Sequence, residues 1–477
     1  MLAVIDGAKP AMLRRAVEDG DAPFLAAVIE RGALVDRLCA AFPSVTPVCA
    51  TSIATGVLQD RHHIPGMNWW SRAEGRYVEY GSSLAAARKF GVTRQLIDTV
   101  YRMNGEHLAR DVPTIFESLD DIGVRTAGTT YLIYRGRHEH QVNRSTALAR
   151  IAGTLFRAPV RGPRELFYAD IFASRDTGHR AQLGRPGLRD RHSGGVAAWL
   201  TARDMYDFLL LSLPDNDTHS HRYGPAAQVD SIAAADEQLQ QVAEAAGGID
   251  AFLDRHAVIV CADHSHTAVE RRIDLFAAFD GWPVAGSNGG DGAEIALCPN
   301  QRAAQVYVLH PGARAGMMRG ILATLDALPG VDVVCFAASG WAVARSPVRG
   351  EVRFRRGGRL RDGRGNAWTV EGDLGALGLQ TSGGEIQSDS HPDALRRIWA
   401  ALSCPTSGDV LVSAALGYEF ADWGGVDHVG AGSHGSLHAD DSLGALVFCG
   451  CEPPPVARSG AWSITDVAAM VRAHFGL

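Results

Sequence analysis

Residues 206–225 read YDFLLLSLPDNDTHSHRYGP, and this stretch joins an apolar run to a dense group of polar side chains. The run Tyr206–Leu213 lacks the polar alternation of a half-exposed strand, which is typical of a strand covered on both faces. Two aspartates and two histidines follow in the turn after it. An Asp and a His four residues apart can reach one cation, and these donors suit zinc or manganese. The spacing admits two pairs, Asp215 with His219 and Asp217 with His221.

Other apolar runs have the same continuous character and predict further buried strands. Helical patterns lie between them at Val229–Glu244 and Gly316–Leu328, the second of which ends at Pro329-Gly330. Strands that alternate with helices predict an α/β fold, with a mostly parallel sheet wrapped by helices and a site at the carboxyl ends of the strands. The predicted strands are Leu2–Ile5, Tyr206–Leu213, Ala257–Cys261, Ile295–Cys298, Val306–Leu309, Val410–Ser413 and Leu446–Phe448.

Two regions depart from this alternation. Residues 62–200 are rich in Gly, Arg and aromatic residues and show few strong strand patterns, so we expect cap or insertion elements there. The stretch Glu351–Asp373 predicts hairpins with Gly-rich turns, within an insertion over residues 340–390. Its arginines are more typical of a solvated face than of a phosphate clamp. The sequence therefore predicts one catalytic domain over residues 1–477, with these two additions.

Charge and composition exclude several classes of protein. The 477 residues carry a net charge of −7, with 46% hydrophobic and 21% charged residues. These values argue against disorder and against a binding surface for nucleic acid polymers. No stretch approaches the ~20 apolar residues of a membrane span, and the N-terminus shows no secretion signal. The eight cysteines have no framework spacing, so we expect reduced thiols and a cytoplasmic location.

Four other places in the chain carry reactive or metal-binding side chains at strand ends or in turns. Asp6 follows the first apolar run, where Asp-Gly is also a common turn. Thr46, in PSVTPVCATSIATG, fits either a helix cap or a nucleophile at a helix N-terminus. Asp263 and His264 end the strand in VIVCADHSHT. His434 lies in a Gly-rich turn, where a purely structural histidine is an equal alternative.

Considered together, these side chains have a shared chemistry. Three carboxylates, three imidazoles and a hydroxyl, all at strand exits, are the ligands of two adjacent divalent cations. Such a site binds the attacking and the leaving oxygen of an in-line displacement. A threonine hydroxyl is a poor nucleophile near neutral pH, and coordination to a cation lowers its pKa. The pattern therefore predicts phosphoryl transfer at a two-metal site.

The motifs occur in the order Asp, Pro-Ser-x-Thr-Pro, Asp-x-x-x-His-x-Tyr-Gly-Pro, Asp-His and Gly-x-His-Gly, over nearly the whole chain. This order resembles the alkaline phosphatase superfamily and is most similar to its type I phosphodiesterase/nucleotide pyrophosphatase family. The resemblance implies a three-layer α/β sandwich that hydrolyses phosphoric (di)esters of small molecules through a phosphothreonine on Thr46. It implies two zinc ions, or manganese in their place, one bound by Asp6, Thr46, Asp263 and His264 and the other by Asp217, His221 and His434.

The resemblance also favours one of the two overlapping pairs. His221 is followed by Arg222-Tyr223-Gly224-Pro225, which matches the family motif. Pro214 restricts the backbone where the strand ends, so Asp215 is more naturally a turn residue than a ligand. His219 then becomes a neighbour of the ligands or a lid over the cleft.

Differences from the motifs of related enzymes narrow the range of activities that we expect. The stretch Thr46–Cys49 lacks the Cys/Ser-x-Pro-x-Arg motif of sulfatases, and threonine replaces the serine of the related mutases. Ser436-Leu437-His438 follows Gly435, where vertebrate nucleotide pyrophosphatases have Tyr-Asp-Asn, so a nucleotide substrate is less favoured. We expect diesters or phosphonate-type monoanions to be cleaved better than monoesters. The alternatives are a phosphomonoesterase or phosphonate hydrolase, a phosphotransferase, and a non-catalytic metal-binding protein on the same fold.

Overall fold

Strands and helices alternate along much of the chain in the computed structural model, which describes residues 1–143, 157–181 and 188–477. The described strands are β1 (Leu2–Ile5), β2 (Ala33–Cys39), β3 (Asn68–Ser71), β4 (Arg76–Glu79), β5 (Thr126–Thr129), β6 (His138–His140), β7 (Val160–Gly162), β8 (Glu165–Tyr168), β9 (Phe172–Ala173), β10 (Phe208–Leu213), β11 (Val258–Cys261), β12 (Thr267–Ile273), β13 (Ile295–Asn300), β14 (Ala303–Val308), β15 (Val331–Ala338), β16 (Trp341–Ser346), β17 (Gly350–Arg361), β18 (Ala367–Gly372), β19 (Gln380–Ser382), β20 (Glu385–Gln387), β21 (Val410–Ala414), β22 (Gly417–Phe420), β23 (Gly432–Ser433) and β24 (Leu443–Cys449).

The described α-helices are α1 (Pro10–Glu18), α2 (Pro23–Arg31), α3 (Thr46–Thr55), α4 (Gln59–His62), α5 (Leu84–Phe90), α6 (Val92–Ile97), α7 (Ile115–Asp120), α8 (Arg189–Thr201), α9 (Asp215–Tyr223), α10 (Gln228–Glu244), α11 (Ile249–Leu253), α12 (Leu275–Ala278), α13 (Arg314–Asp326), α14 (Ala394–Ser403), α15 (Ala439–Ser442) and α16 (Thr465–His474). A π-helix follows α6 at Asp98–His107.

The central sheet has the strand order β2-β24-β11-β1-β10-β5-β8-β9 in the described residues. Its inner strands, from β11 to β8, are parallel, as the sequence predicts. Strand β24 lies antiparallel between β2 and β11. Ile5 pairs with Leu213 and Val4 pairs with Cys261, so the carboxyl ends of β1, β10 and β11 lie at one edge of the sheet.

Helices cover both faces of this sheet. Leu2 and Val4 of β1 belong to one apolar core, to which α3, α7 and α16 also contribute. Ala3 and Ile5 belong to a second core, which contains residues of α1, α2, α8, α10 and α11. Because both faces of β1 are buried, its sequence shows no polar alternation. The fold is therefore the three-layer α/β arrangement that the sequence predicts.

Three of the predicted strands, β13, β14 and β21, lie outside the mostly parallel sheet. They are adjacent and antiparallel in a second sheet, of order β13-β14-β21-β15-β16-β17-β20-β19 with β18 paired to β17. This sheet is also covered on both faces. Val333 packs in a core that contains residues of α14, whereas Val334 packs in a core that contains residues of α13. A continuous apolar run therefore indicates burial on both faces and does not identify the sheet.

The two regions with atypical sequence differ in their structure. Strands β17 and β18 form an antiparallel hairpin, as predicted over Glu351–Asp373, and the arginines of β17 lie mostly on exposed positions. From residues 62–200, strands β5 and β8 extend the central sheet beyond β10. Residues 144–156 and 182–187 of that region lie outside the described residues. The division into a catalytic domain with a cap and a hairpin insertion remains a prediction.

Two further features of the structure concern the state of the cysteine thiols and the length and apolar character of the helices. All eight cysteines lie in the described part of the chain, and none of them forms a disulfide. Seven of these thiols are buried, as expected for small apolar side chains. No helix among the described residues has both the length and the apolar character needed to cross a membrane.

Candidate active site

Side chains from both ends of the chain converge at the carboxyl edge of the central sheet. Asp6 directly follows β1, and Asp263 and His264 follow β11. The Nε2 atom of His264 lies 3.5 Å from an oxygen of Asp6 and 3.4 Å from an oxygen of Asp263. The imidazole ring of His434 stacks on that of His264. Residues predicted from three separated motifs therefore meet in one cleft.

Helix α9 determines which of the two Asp/His pairs reaches this cleft. The segment after β10, Asp215–Tyr223, is a helix of nine residues rather than a turn. Residues two apart on a helix project about 200° from each other, so the two pairs face opposite sides. An oxygen of Asp217 lies 3.4 Å from Nε2 of both His221 and His434.

The other pair makes contacts outside the cleft. One oxygen of Asp215 accepts a hydrogen bond from Nε of Arg189, and the other accepts one from the backbone N–H of Asp190. The ring of His219 lies against Tyr223, with ring centroids 4.8 Å apart. Asp215 thus anchors the first turn of α8, and it is the first residue of helix α9 rather than the turn residue that the sequence predicts.

Three imidazoles in the cleft share one hydrogen-bonding arrangement. The Nδ1 atoms of His221, His264 and His434 lie 2.9, 3.1 and 2.8 Å from the backbone carbonyl oxygens of Gly432, Ser265 and Ser44. Because a carbonyl only accepts, each Nδ1 carries the proton and donates it, which leaves a lone pair on Nε2 facing the cleft. Histidines that bind metals usually have this arrangement, in which the other ring nitrogen donates to a carbonyl or carboxylate.

Burial shifts the pKa values of the carboxylates next to β1 and β11. Burial, followed by the charge of Asp263, raises the pKa of Asp6 well above its ordinary value. Burial raises the pKa of Asp263 to about 6, although the backbone N–H of Gly7 donates to it. Two neighbouring carboxylates repel each other when both are ionised, and a divalent cation between them offsets that repulsion.

The pKa values of His264, His434 and Asp217 are lowered, in contrast to those of Asp6 and Asp263. Burial lowers the pKa values of His264 and His434 to about 4, so both rings are neutral near pH 7. Burial acts to raise the pKa of Asp217, but the positive charge of His221, together with the nearby imidazole of His266, keeps the pKa well below its usual range. The ionised carboxylate of Asp217 and the neutral rings of His264 and His434 are in the protonation states that bind a metal ion.

The donor set fits two divalent cations. Ligand atoms of Asp6, Asp263 and His264 all lie within 4.8 Å of one another, and so do those of a second group formed by Asp217, His264, His266 and His434. Among the described residues, Oδ1 of Asp6, Oδ2 of Asp263 and Nε2 of His434 are buried atoms without a hydrogen-bond partner. Buried polar atoms are rarely left unpaired, so their convergence indicates that they face ligands other than protein atoms.

Thr46 is the first residue of α3, which begins beside the cleft. Its Oγ1 lies 3.3 Å from Nε2 of His264. The sequence left open whether Thr46 caps the helix or faces the site, and the structure shows that Val45 is the capping residue and has no side-chain hydrogen bond to the helix. The N-terminus of a helix attracts anions through its dipole, so a phosphoryl group beside Thr46 would be stabilised.

Groups behind the cleft hold its loops in place. The buried side chains of Arg302 and Asp441 form an ion pair of 2.8 Å, and the backbone N–H of Arg302 donates to the carbonyl of His434. Asp441 accepts hydrogen bonds from the backbone N–H and the hydroxyl of Ser436. This ion pair therefore fixes the turn that carries His434.

Two further histidines lie in this region, and neither was predicted from the sequence as a site residue. Nε2 of His266 lies 2.9 Å from an oxygen of Asp217. The ring of His428 stacks on His221 with centroids 4.0 Å apart, and its Nδ1 lies 2.8 Å from the buried carboxylate of Glu419. The spacing in Asp-His-Ser-His was a usable signal for His266, since residues two apart in extended backbone point to the same side. No comparable local signal marked His428.

The three-layer fold and the convergent acidic and imidazole side chains define a phosphoric ester hydrolase of the alkaline phosphatase superfamily. The chain belongs to the type I phosphodiesterase/nucleotide pyrophosphatase family, whose model matches residues 2–315. That family is dependent on divalent metals, in keeping with the donor groups of the cleft. No curated protein is a sequence match.

Solved structures with the same fold cover nearly the whole chain. Phosphonoacetate hydrolase from Sinorhizobium meliloti 1021, in complex with phosphonoformate, has 18% sequence identity and a TM-score of 0.58, over 99% of this chain and 95% of that one. Human ectonucleotide pyrophosphatase/phosphodiesterase 5 has 13% identity and a TM-score of 0.55, over 99% and 93% of the two chains. The murine protein, in an inactive form bound to AMP, has 12% identity and a TM-score of 0.57, over 100% and 94%.

Proposed function

We propose that the protein hydrolyses phosphoric esters of small molecules with Thr46 as nucleophile, beside two divalent metal ions. One observation carries the proposal: the Thr46 hydroxyl lies at the start of a helix and 3.3 Å from Nε2 of His264, the imidazole that contacts both Asp6 and Asp263. The ligands of one ion would be Asp6, Thr46, Asp263 and His264, and those of the other Asp217, His221 and His434. We expect zinc, with manganese as the alternative, because both metals bind imidazole nitrogen and carboxylate oxygen as ligands.

The chain's own residues account for positioning and charge. The first turn of α3 orients the Thr46 oxygen towards the phosphorus and stabilises the anionic phosphoryl group. The Thr46 hydroxyl gives up its proton to solvent water and its oxygen bonds to phosphorus. The bond from phosphorus to the leaving oxygen breaks, and that oxygen keeps the electron pair and takes up a proton from solvent. A water molecule then loses a proton to solvent and bonds to the phosphorus of the phosphothreonine. The threonine oxygen leaves with the electron pair of the broken bond and is protonated again. When bound, the two ions lower the pKa of the attacking hydroxyl and neutralise charge on the phosphoryl oxygens.

The proposed substrates are diesters or phosphonate-type monoanions in preference to monoesters. Membership of the phosphodiesterase family supports this preference. The stretch PSVTPVCATS around Thr46 contains no arginine that could clamp a dianion in bidentate fashion. We expect the protein to act in the cytoplasm, a location that remains a prediction from the sequence.

Substitution of the nucleophile tests the mechanism. Thr46→Ala should bind both metal ions, because the other ligands remain, yet its turnover should fall by at least ~1,000-fold. Thr46→Ser should retain measurable turnover. The measurement is the release of phosphate or alcohol from aryl phosphate monoesters, diesters, phosphonates and sulfates, with saturating Zn²⁺ or Mn²⁺.

The same assay distinguishes the proposed hydrolase from the alternative functions. Transfer of the phosphoryl group to an added alcohol, in place of free phosphate, would identify a phosphotransferase. Two bound ions without turnover of any substrate would identify a non-catalytic metal-binding protein. Near wild-type turnover in Thr46→Ala would exclude Thr46 as the nucleophile.

A further inference from the structure

A fourth imidazole, that of His266, lies in the cleft in addition to the ligands proposed above. Its Nε2 atom is 2.9 Å from Oδ1 of Asp217, closer than Nε2 of either His221 or His434, each at 3.4 Å. Its ring centroid lies 4.8 Å from that of His221 and 4.9 Å from that of His434. Nε2 of His266 therefore borders the space beside Asp217 in which the proposed ion would lie.

Surrounding residues hold the His266 ring in this position. A Cβ atom on Gly7 would lie 2.7 Å from two atoms of the ring, so only glycine leaves the room that the imidazole occupies. Nζ of Lys9 donates to the backbone carbonyl of His266 at 3.0 Å. The next residue, Thr267, pairs with Ser433 across strands β12 and β23, which places His266 beside His434. The side chain is fully buried, so it does not face solvent.

The distances from Asp217 fit shared coordination of one ion. Zinc binds imidazole nitrogen and carboxylate oxygen at about 2.0–2.2 Å, so neighbouring ligand atoms of a four-coordinate ion lie roughly 3.3 Å apart. The three separations from Oδ1 of Asp217, at 2.9, 3.4 and 3.4 Å, lie close to that value. We propose that His266 is a fourth protein ligand of the ion held by Asp217, His221 and His434, an inference that rests on the proposed two-metal function.

The hydrogen bonds of His266 permit this role. Its Nδ1 is buried and has no hydrogen-bond partner among the described residues. No described protein group at Nδ1 therefore determines which ring nitrogen carries the proton. With the proton on Nδ1, the lone pair of Nε2 faces the cleft. This ring differs from His221, His264 and His434, whose Nδ1 atoms are held by backbone carbonyls.

A fourth protein ligand changes the character of this metal site. Catalytic zinc sites commonly combine three protein ligands with an open position, whereas sites with four protein ligands bind their ion structurally. The ion beside Asp217 would thus be retained more tightly and would have less room for water.

Metal binding by two variants tests the assignment. His266→Ala removes both the ligand and any hydrogen bond to Asp217, whereas His266→Gln keeps an N–H donor and lacks the imidazole. Both variants should bind one of their two zinc ions at least ~10-fold more weakly than the wild type, measured by competition with a chelator. In the Asp217→Ala background, which already lacks that ion, His266→Ala should have no further effect on zinc content. His219→Ala, which changes the opposite side of α9, is the control and should bind both ions normally.

The outcomes separate this inference from the proposed function. Wild-type zinc affinity in His266→Gln, with loss in His266→Ala, would show that His266 only donates a hydrogen bond to Asp217 and would overturn the assignment. Wild-type affinity in both variants would overturn it as well. Fewer than two zinc ions in the wild-type protein would instead contradict the two-metal site itself.

Discussion

The imidazole rings of His264 and His434 stack in parallel, with centroids 3.5 Å apart and planes inclined by only 15°. One ring follows β11 and the other follows β23, so the contact joins the end of the central sheet to a loop near the other end of the chain. Both Nδ1 atoms donate to backbone carbonyls, which fixes the rotation of each ring. The stack therefore places two neighbouring lone pairs at the boundary between the two proposed metal sites.

The first prediction concerns the two Asp/His pairs of α9. Asp217→Ala and His221→Ala should each lose one metal ion and at least ~100-fold in turnover, because they remove proposed ligands. Asp215→Ala and His219→Ala should keep both ions, since Asp215 anchors Arg189 and Asp190. Metal content after dialysis, measured with turnover of a diester, distinguishes the pairs. The reverse pattern would move the ligand assignment to Asp215 and His219.

The second prediction concerns the buried ion pair of Arg302 and Asp441. Arg302→Met leaves the Asp441 carboxylate buried without its partner, which should lower the free energy of unfolding by about 3–5 kcal/mol. The turn that carries His434 should also loosen, so zinc affinity should fall. Arg15→Met is the control, because the ion pair of Arg15 with Asp19 is exposed and should be worth less than about 1 kcal/mol. Urea denaturation of the two variants gives the comparison, and an equal effect would contradict the role of burial.

The third prediction uses two glycines that both adopt positive φ angles, Gly7 at +67° and Gly20 at +83°. Alanine at either position strains the backbone by about 1 kcal/mol. At Gly7 the added Cβ also meets the His266 ring, whereas at Gly20 nothing lies within 4 Å. Gly7→Ala should therefore be less stable than Gly20→Ala and should bind zinc more weakly. Equal stability and equal zinc content in the two variants would argue against the close contact with His266.

The fourth prediction is a pH dependence of stability that arises outside the metal site. His62 is fully buried in α4, where Nδ1 accepts from the backbone N–H of Ile64 and Nε2 lies 3.1 Å from the hydroxyl of Ser52. Burial, followed by the charge of His63, lowers the pKa of folded His62 from 6.5 to about 3. Between these two values the unfolded chain binds a proton that the folded chain does not. The free energy of unfolding should therefore fall as the pH drops below 6.5, by up to about 1.4 kcal/mol per pH unit, and level off near pH 3.

Replacement of the imidazole isolates this contribution. His62→Gln has no group that titrates in this range, so its unfolding free energy should vary less between pH 7 and pH 4 than that of the wild type. The measurement is chemical denaturation of both proteins across that range. Parallel pH profiles would show that His62 does not carry the effect.

Elements that depend on local pattern could be predicted from the sequence, whereas pairing partners could not. Strand β1 matches its prediction residue for residue, because four consecutive buried apolar residues leave little ambiguity. Strand β5, with the sequence TAGT, is fully buried but weakly apolar, and it becomes a strand through its pairing with β10 and β8. Tertiary context of this kind overrides intrinsic strand preference.

The candidate site shows the same division. The motifs identified Asp6, Thr46, Asp263 and His434 because strand exits and Gly-rich turns are visible in the sequence. The choice of Asp217 and His221 rested on the resemblance to the family motif and on Pro214. The sequence predicts a turn there, whereas the structure has helix α9, whose direction brings this pair to the cleft. His428 reaches His221 only through the pairing of β22 and β23 with β12, a relationship that no local spacing encodes.

The position of β24 in the central sheet has a consequence for synthesis of the protein. This strand, Leu443–Cys449, separates β2 from β11, although both are translated much earlier. A nascent chain that still lacks β24 therefore exposes two unpaired strand edges, and exposed edges promote aggregation. His434 lies shortly before β24 in the sequence, so the cleft too is completed only after most of the polypeptide has been synthesised. The growing chain is thus more prone to aggregation until this late strand inserts.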